Sequence, residues 1–173
     1  MNVAAPPARD AYASFRIPAF RAFIASLLAM TLALQIQGVV VAWQVYALTR
    51  DPLSLGLVGL AEALPFLAAA LPAGQWADRH DRRAIATGSI AVLVVCAVVL
   101  LLLTATGALT PQAGGTAPRT LVWLVYAVLG VSGVARAVLQ PARQALAAEL
   151  VPVSLYTNAV TWRSTTWQGG SVA

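Results

Sequence analysis

Three long stretches without charged residues constrain this chain more than any other feature. Residues 22–49 and 84–118 contain no Asp, Glu, Lys or Arg, and residues 52–77 contain only Glu62. Each stretch exceeds the roughly 20 apolar residues that cross the about 30 Å of a bilayer core. Overall, 60% of the residues are hydrophobic and 10% are charged, whereas a soluble domain carries about 25% charged residues. The sequence therefore predicts an all-α, polytopic membrane helical bundle.

The remaining composition excludes several function classes. The basic residues are all arginine, and they flank the apolar stretches instead of forming one basic face, which argues against nucleic-acid binding despite the net charge of +5. The only histidine, His80, lies in the charged loop, so we expect neither a Ser-His triad nor a His-ligated metal cluster. Without lysine there is no P-loop, and so no ATP-driven transport. We expect no enzyme, no cofactor and no metal site.

Prolines and turn residues divide the chain into four spans. We predict membrane spans over about residues 22–48, 53–77 and 84–103. A fourth span starts near Arg119 and leaves the hydrocarbon near Leu139, where Pro141 marks its exit and an amphipathic stretch follows to Val151. The predicted organisation is a cytoplasmic N-terminal tail over residues 1–18, four transmembrane helices with their loops over 19–152, and the start of an incomplete fifth helix over 153–173.

The arginines also predict how the chain is oriented. With a cytoplasmic N-terminus, nine of the 11 arginines fall on the cytoplasmic side, and Arg50 and Arg119 fall on the opposite side. Positive charge concentrates in cytoplasmic loops of membrane proteins. The sequence therefore predicts a cytoplasmic N-terminus.

Small residues at helical spacing predict where the spans pack together. Lipid tails provide no hydrophobic drive for helix association, so close backbone approach is needed. The fourth span carries such a stripe, and the second and third carry shorter ones. The stripes are Tyr126, Gly130, Gly133 and Ala137; Gly56, Gly59 and Ala63; and Ala84 and Gly88. Pro65 and Pro72 predict bends in the second span.

The segment from Gly74 to Arg83, with the sequence GQWADRHDRR, is the most informative motif. We interpret it as a tight cytoplasmic turn that holds both charge signs at the bilayer surface. Such a cluster can latch two groups of helices together and release them. The alternative is that its arginines only fix topology. Asp81 also has a simpler role available, capping the third helix.

This segment resembles the signature loop of the major facilitator superfamily, G-x-x-x-D-R-x-G-R-R, between its second and third helices. Five positions match, and Asp81 stands where the family has its second glycine. The matching residues are Gly74, Asp78, Arg79, Arg82 and Arg83. Three further segments resemble those of the branch that includes the enterobactin exporter and macrolide-efflux proteins, namely residues 43–56, 141–146 and 149–152.

The resemblance implies a twelve-helix secondary transporter of two halves in the cell inner membrane, with this chain as a partial N-terminal half. It implies ion-gradient-driven efflux of a small organic compound such as a drug or siderophore. The implied partners are that substrate, the lipid bilayer and the missing C-terminal half. Drug–proton antiporters of the family carry an arginine early in the fourth helix, where this chain has Tyr126. The alternatives are an importer of the same fold, or a small membrane scaffold or non-functional fragment.

Glu62 is the acid inside a predicted span. A charged residue at a helix centre costs about 2.5–3.5 kcal/mol on insertion scales, so it usually faces a cavity or a partner. We predict that Glu62 couples transport to protons or binds a cationic substrate. The alternative is a carboxyl held within the bundle by Gln44 or Arg136.

Several other polar residues are candidates for lining a central cavity. Gln37 and Gln44 share one face of the first span, with hydrogen bonding between helices as the alternative role. We expect Arg136 to extend to the cytoplasmic surface more readily than to bind substrate. Asn158 and Arg163 are cavity candidates in the incomplete fifth helix.

Overall fold

The computed structural model describes residues 12–79, 81–107 and 119–172. Five α-helices and two short 3₁₀ helices make up this part of the chain, and it contains no β-strand. The α-helices are α1 (Pro18–Thr49), α2 (Pro52–Arg79), α3 (Arg82–Ala105), α4 (Arg119–Glu149) and α5 (Tyr156–Val172), and the 3₁₀ helices are Ala13–Arg16 and Val153–Leu155.

Four of these helices are long and apolar enough to cross a membrane. They are Pro18–Thr49, Pro52–Trp76, Arg82–Ala105 and Thr120–Ala147. The prediction of an all-α membrane bundle is therefore confirmed.

The fourth helix extends past Pro141, the predicted exit of its span from the hydrocarbon. Helix α4 continues through this proline to Glu149. Proline removes one backbone hydrogen bond, but helices in membrane bundles tolerate the loss where neighbours pack against them. Ala142, directly after the proline, is fully buried. Pro65 and Pro72 likewise lie inside the uninterrupted α2.

The turn between α1 and α2 is held by local hydrogen bonds. Arg50 adopts the left-handed conformation, with φ of 54°, and this reverses the chain. The Asp51 carboxylate accepts a hydrogen bond from the Leu53 backbone N–H at 3.0 Å, which caps the first turn of α2. The Thr49 and Ser54 hydroxyls also hydrogen-bond each other, at 2.6 Å. The link is therefore a tight hairpin.

The start of α3 confirms the capping role of Asp81. Its carboxylate accepts a hydrogen bond from the Arg83 backbone N–H at 3.0 Å, and its backbone is extended, as an N-cap requires.

Two ends of the chain differ in detail from the predicted organisation. The predicted tail over residues 1–18 includes a 3₁₀ helix, Ala13–Arg16, and α1 already begins at Pro18. Arg9, which contributed to the predicted orientation, lies outside the described residues. In the predicted fifth span, Pro152 precedes a 3₁₀ helix, and α5 follows.

The described chain divides into two compact units, one formed by Gln35–Leu146 and the other by the residues on either side. In the first unit a buried cluster joins residues from all four of its helices: Val41, Val45, Leu48, Val58, Leu100, Val125 and Leu129. In the second unit Phe20, Ile24, Leu27, Val151 and Ala159 form the core. There Phe15 packs edge-on against Trp162, with ring centroids 4.9 Å apart.

Candidate functional site

The candidate site lies where α4 packs against α2. Gly130 and Gly133 face α2: a Cβ added at Gly130 would lie 3.5 Å from the Ala61 carbonyl oxygen, and one at Gly133 would lie 2.4 Å from that of Glu62. The paired residue numbers rise together, so the two helices run parallel here. Ala137, one turn further, is buried. The predicted small-residue stripe on the fourth span is confirmed.

The shorter stripes predicted on the second and third spans do not pack in the described part of the chain. A Cβ added at Gly56, Gly59 or Gly88 would meet no atom within 4 Å, and Ala63 and Ala84 are exposed. Their packing role stays a prediction, since small size permits close approach but does not choose which face a neighbouring helix takes.

An ion pair joins α2 and α4 beside this contact. The Arg136 guanidinium Nη1 contacts the Glu62 carboxylate Oε1, and each side chain is 24% exposed. Glu62 lies about 15 Å along α2 from Pro52 at 1.5 Å per residue, about half of a 30 Å bilayer core. The two opposite charges offset each other within a predicted span, where a lone charge is costly.

Arg136 therefore differs from its predicted position. We expected its side chain to extend to the cytoplasmic surface, but α4 continues for about three and a half turns beyond it. Its Nε is buried and has no hydrogen-bond partner among the described residues. Glu62 takes one of its two predicted alternative partners, Arg136, and its role in coupling stays a prediction.

The two glutamine candidates on α1 occupy different surroundings. Gln44 is buried, and its Nε2 donates a hydrogen bond to the Thr104 hydroxyl of α3 at 2.9 Å. Gln37 is half-buried. Gln44 thus makes the interhelical contact that was the alternative to lining a cavity.

Tyr126 has a partner that sequence reasoning missed. Its hydroxyl donates a hydrogen bond to the Ser54 carbonyl of α2 at 3.3 Å. Tyr126 precedes Gly130 by four residues, so helical spacing places it on the same face as the glycines. The spacing was visible in the sequence, but its partner on α2 depended on the helix register.

The charged motif near Arg82 is built differently from the predicted tight turn. Helix α2 continues through Arg79 and α3 begins at Arg82, so most of the motif is helical. Gly74 is half-buried within α2, with open space where a Cβ would point. His80 lies outside the described residues, as do the side chains of Asp78 and Arg79.

Arg82 and Arg83 are exposed at the start of α3. The gating role assigned to the motif, including these two arginines, stays a prediction.

The fifth-helix candidates belong to the other compact unit. Asn158 and Arg163 are both half-buried on α5. Arg163 lines a small cleft together with Phe20, Phe23 and Tyr156. Among the described residues, no three His, Cys, Asp or Glu side chains lie close enough together to hold a metal ion.

Comparison with protein families places most of the chain within a known family model. Residues 9–168 match a major facilitator family model described as "Transmembrane secretion effector". No curated protein and no solved structure matches the sequence.

Proposed function

The chain belongs to the transmembrane secretion effector family of the major facilitator superfamily, and we propose that it works in ion-gradient-driven export of a small organic compound such as a drug or siderophore. Membrane transport follows from the family and from four helices able to span a bilayer. The word "secretion" in the family description supports the outward direction. The excess of arginines on one side supports an inner-membrane location with a cytoplasmic N-terminus.

The Glu62–Arg136 ion pair carries the coupling part of this proposal. While Glu62 is ionised, its charge and that of Arg136 hold α2 and α4 together. A proton on Glu62 would remove its charge and leave the guanidinium without a counter-ion, which is strongly unfavourable in a low-dielectric environment. Protonation therefore favours a rearrangement of the two helices. A cationic substrate that competes for Glu62 would act on the same contact.

The experiment is efflux from cells that lack their own drug exporters and express the gene's product. Ethidium, a lipophilic cation, is the first probe, and a macrolide and a catecholate siderophore follow. We expect efflux to stop when the proton gradient is dissipated. We expect Glu62→Gln to abolish proton-dependent efflux, because the amide cannot take up a proton and leaves Arg136 without a counter-charge.

Asp51→Asn is the matched control, since it makes the same carboxylate-to-amide change at an exposed turn and asparagine caps a helix as well as aspartate does. Proton-dependent efflux by Glu62→Gln at the wild-type rate would disprove the coupling role.

A further inference from the structure

Gly133 lies against the α2 backbone more tightly than Gly130 does. Besides the Glu62 carbonyl oxygen at 2.4 Å, a Cβ added at Gly133 would meet the Glu62 carbonyl carbon at 3.3 Å and the Phe66 backbone nitrogen at 3.4 Å. All three neighbours are backbone atoms inside a helix, so no side-chain rotation can make room. Any residue other than glycine would force α4 away from α2.

Gly133 and Arg136 are three residues apart on α4, and side chains at that spacing lie on the same helix face. The backbone against which Gly133 packs is that of Glu62, the residue whose carboxylate Arg136 contacts. The distance between the helices at Gly133 therefore determines whether the guanidinium reaches the carboxylate.

We infer that Gly133 is a positioning residue for the Glu62–Arg136 ion pair: its missing side chain lets α4 approach the Glu62 backbone closely enough for the two charges to meet. The consequence for transport rests on the proposed function, whereas the contact itself can be tested without any transport. Gly130 does not share this role, because a Cβ there would make ordinary contact at 3.5 Å.

The test uses dicyclohexylcarbodiimide, a membrane-soluble reagent that adds to carboxyl groups in apolar surroundings. Glu62 is the acidic residue within the four membrane-spanning helices, so mass spectrometry of its peptide reports on this site. In native membranes, pairing with Arg136 protects the Glu62 carboxylate. We expect Gly133→Ala to raise labelling of Glu62 several-fold, and Arg136→Gln to raise it as much or more.

Matched glycine variants separate positioning from general loosening. Gly130→Ala and Gly59→Ala add the same methyl group where there is room for it, and we expect labelling at the wild-type level. In an Arg136→Gln background, Gly133→Ala should add nothing further, since the contact it disturbs is already gone. A residue with only a packing role would raise labelling in both backgrounds.

Gly130→Val covers the case in which Gly133→Ala does not accumulate in the membrane. Its branched side chain would press on Ala61 and Pro65 one turn away, and we expect labelling between the wild-type and Arg136→Gln levels.

Wild-type labelling in Gly133→Ala would overturn the inference, and so would wild-type labelling in Gly130→Val if only that variant is recovered. An equal increase from Gly133→Ala with and without Arg136 would also overturn it. Unaltered proton-dependent efflux in Glu62→Gln would remove the proposed coupling but leave these labelling results standing, so the two failures are distinguishable.

Discussion

At the residue scale, the charges of Glu62 and Arg136 stabilise each other, and each depends on the presence of the other. Each charge is stabilised by the other, and removal of either partner leaves the other uncompensated in a medium that solvates it poorly. The pair is therefore stable as a unit and sensitive to the loss of one charge, as a protonation step in transport requires.

Charge removal at this pair should be strongly non-additive. We expect Arg136→Gln to lower the free energy of unfolding by at most the about 3–5 kcal/mol that breaking a fully buried pair costs, because it leaves the half-buried Glu62 without its counter-charge. The double variant Glu62→Gln/Arg136→Gln should recover part of that loss. Denaturant unfolding of the purified protein in detergent checks both values. A double variant less stable than Arg136→Gln would show that the two residues do not act as a pair.

At the element scale, local hydrogen bonds determine where each helix ends, and side-chain packing determines which helices touch. Asp81 illustrates the first, because its capping role depends only on residues that follow it directly in the sequence. The glycines of α2, α3 and α4 illustrate the second. Those at positions 130 and 133 meet another helix, whereas those at 56, 59 and 88 meet none among the described residues.

The cap at Asp81 gives an element-scale prediction. Asp81→Ala should destabilise the first turn of α3 by about 1 kcal/mol, because the Arg83 backbone N–H loses its acceptor, whereas Asp81→Asn should retain the cap. Hydrogen exchange at the Arg82 and Arg83 amides measures the difference. Equal exchange in the alanine and asparagine variants would mean that the side chain does not cap the helix.

The sequence predicted the helices well because unbroken apolar stretches and terminal turn residues are local signals. It predicted the contact at Gly133 only in part, since the stripe marks a face but not the partner residue. The predicted exit of the fourth span at Pro141 does not coincide with a helix end, because α4 continues through the proline to Glu149. The sequence named Arg136 as one possible partner of Glu62 because the two side chains carry opposite charges. Whether they touch depends on the register between α2 and α4, which the sequence does not show.

At the scale of the whole molecule, the proposed orientation places the α1–α2 turn outside and the α2–α3 link in the cytoplasm. We expect the cysteine of an Asp51→Cys variant to react with a membrane-impermeant maleimide in intact cells. The cysteine of an Arg83→Cys variant should react only after the cells are permeabilised. Both variants are made with Cys96→Ala, which removes the native buried thiol. The reverse pattern would invert the orientation.

The central claim is that a Glu–Arg ion pair joins α2 and α4 inside the bilayer, and solid-state NMR in lipid tests it most directly. Dipolar recoupling between a ¹³C-labelled glutamate carboxyl and ¹⁵N-labelled arginine side chains should give a strong contact, at a carbon–nitrogen distance below about 5 Å for an ion pair. The same signal should vanish in both Glu62→Gln and Arg136→Gln. A wild-type spectrum without this contact would contradict the account.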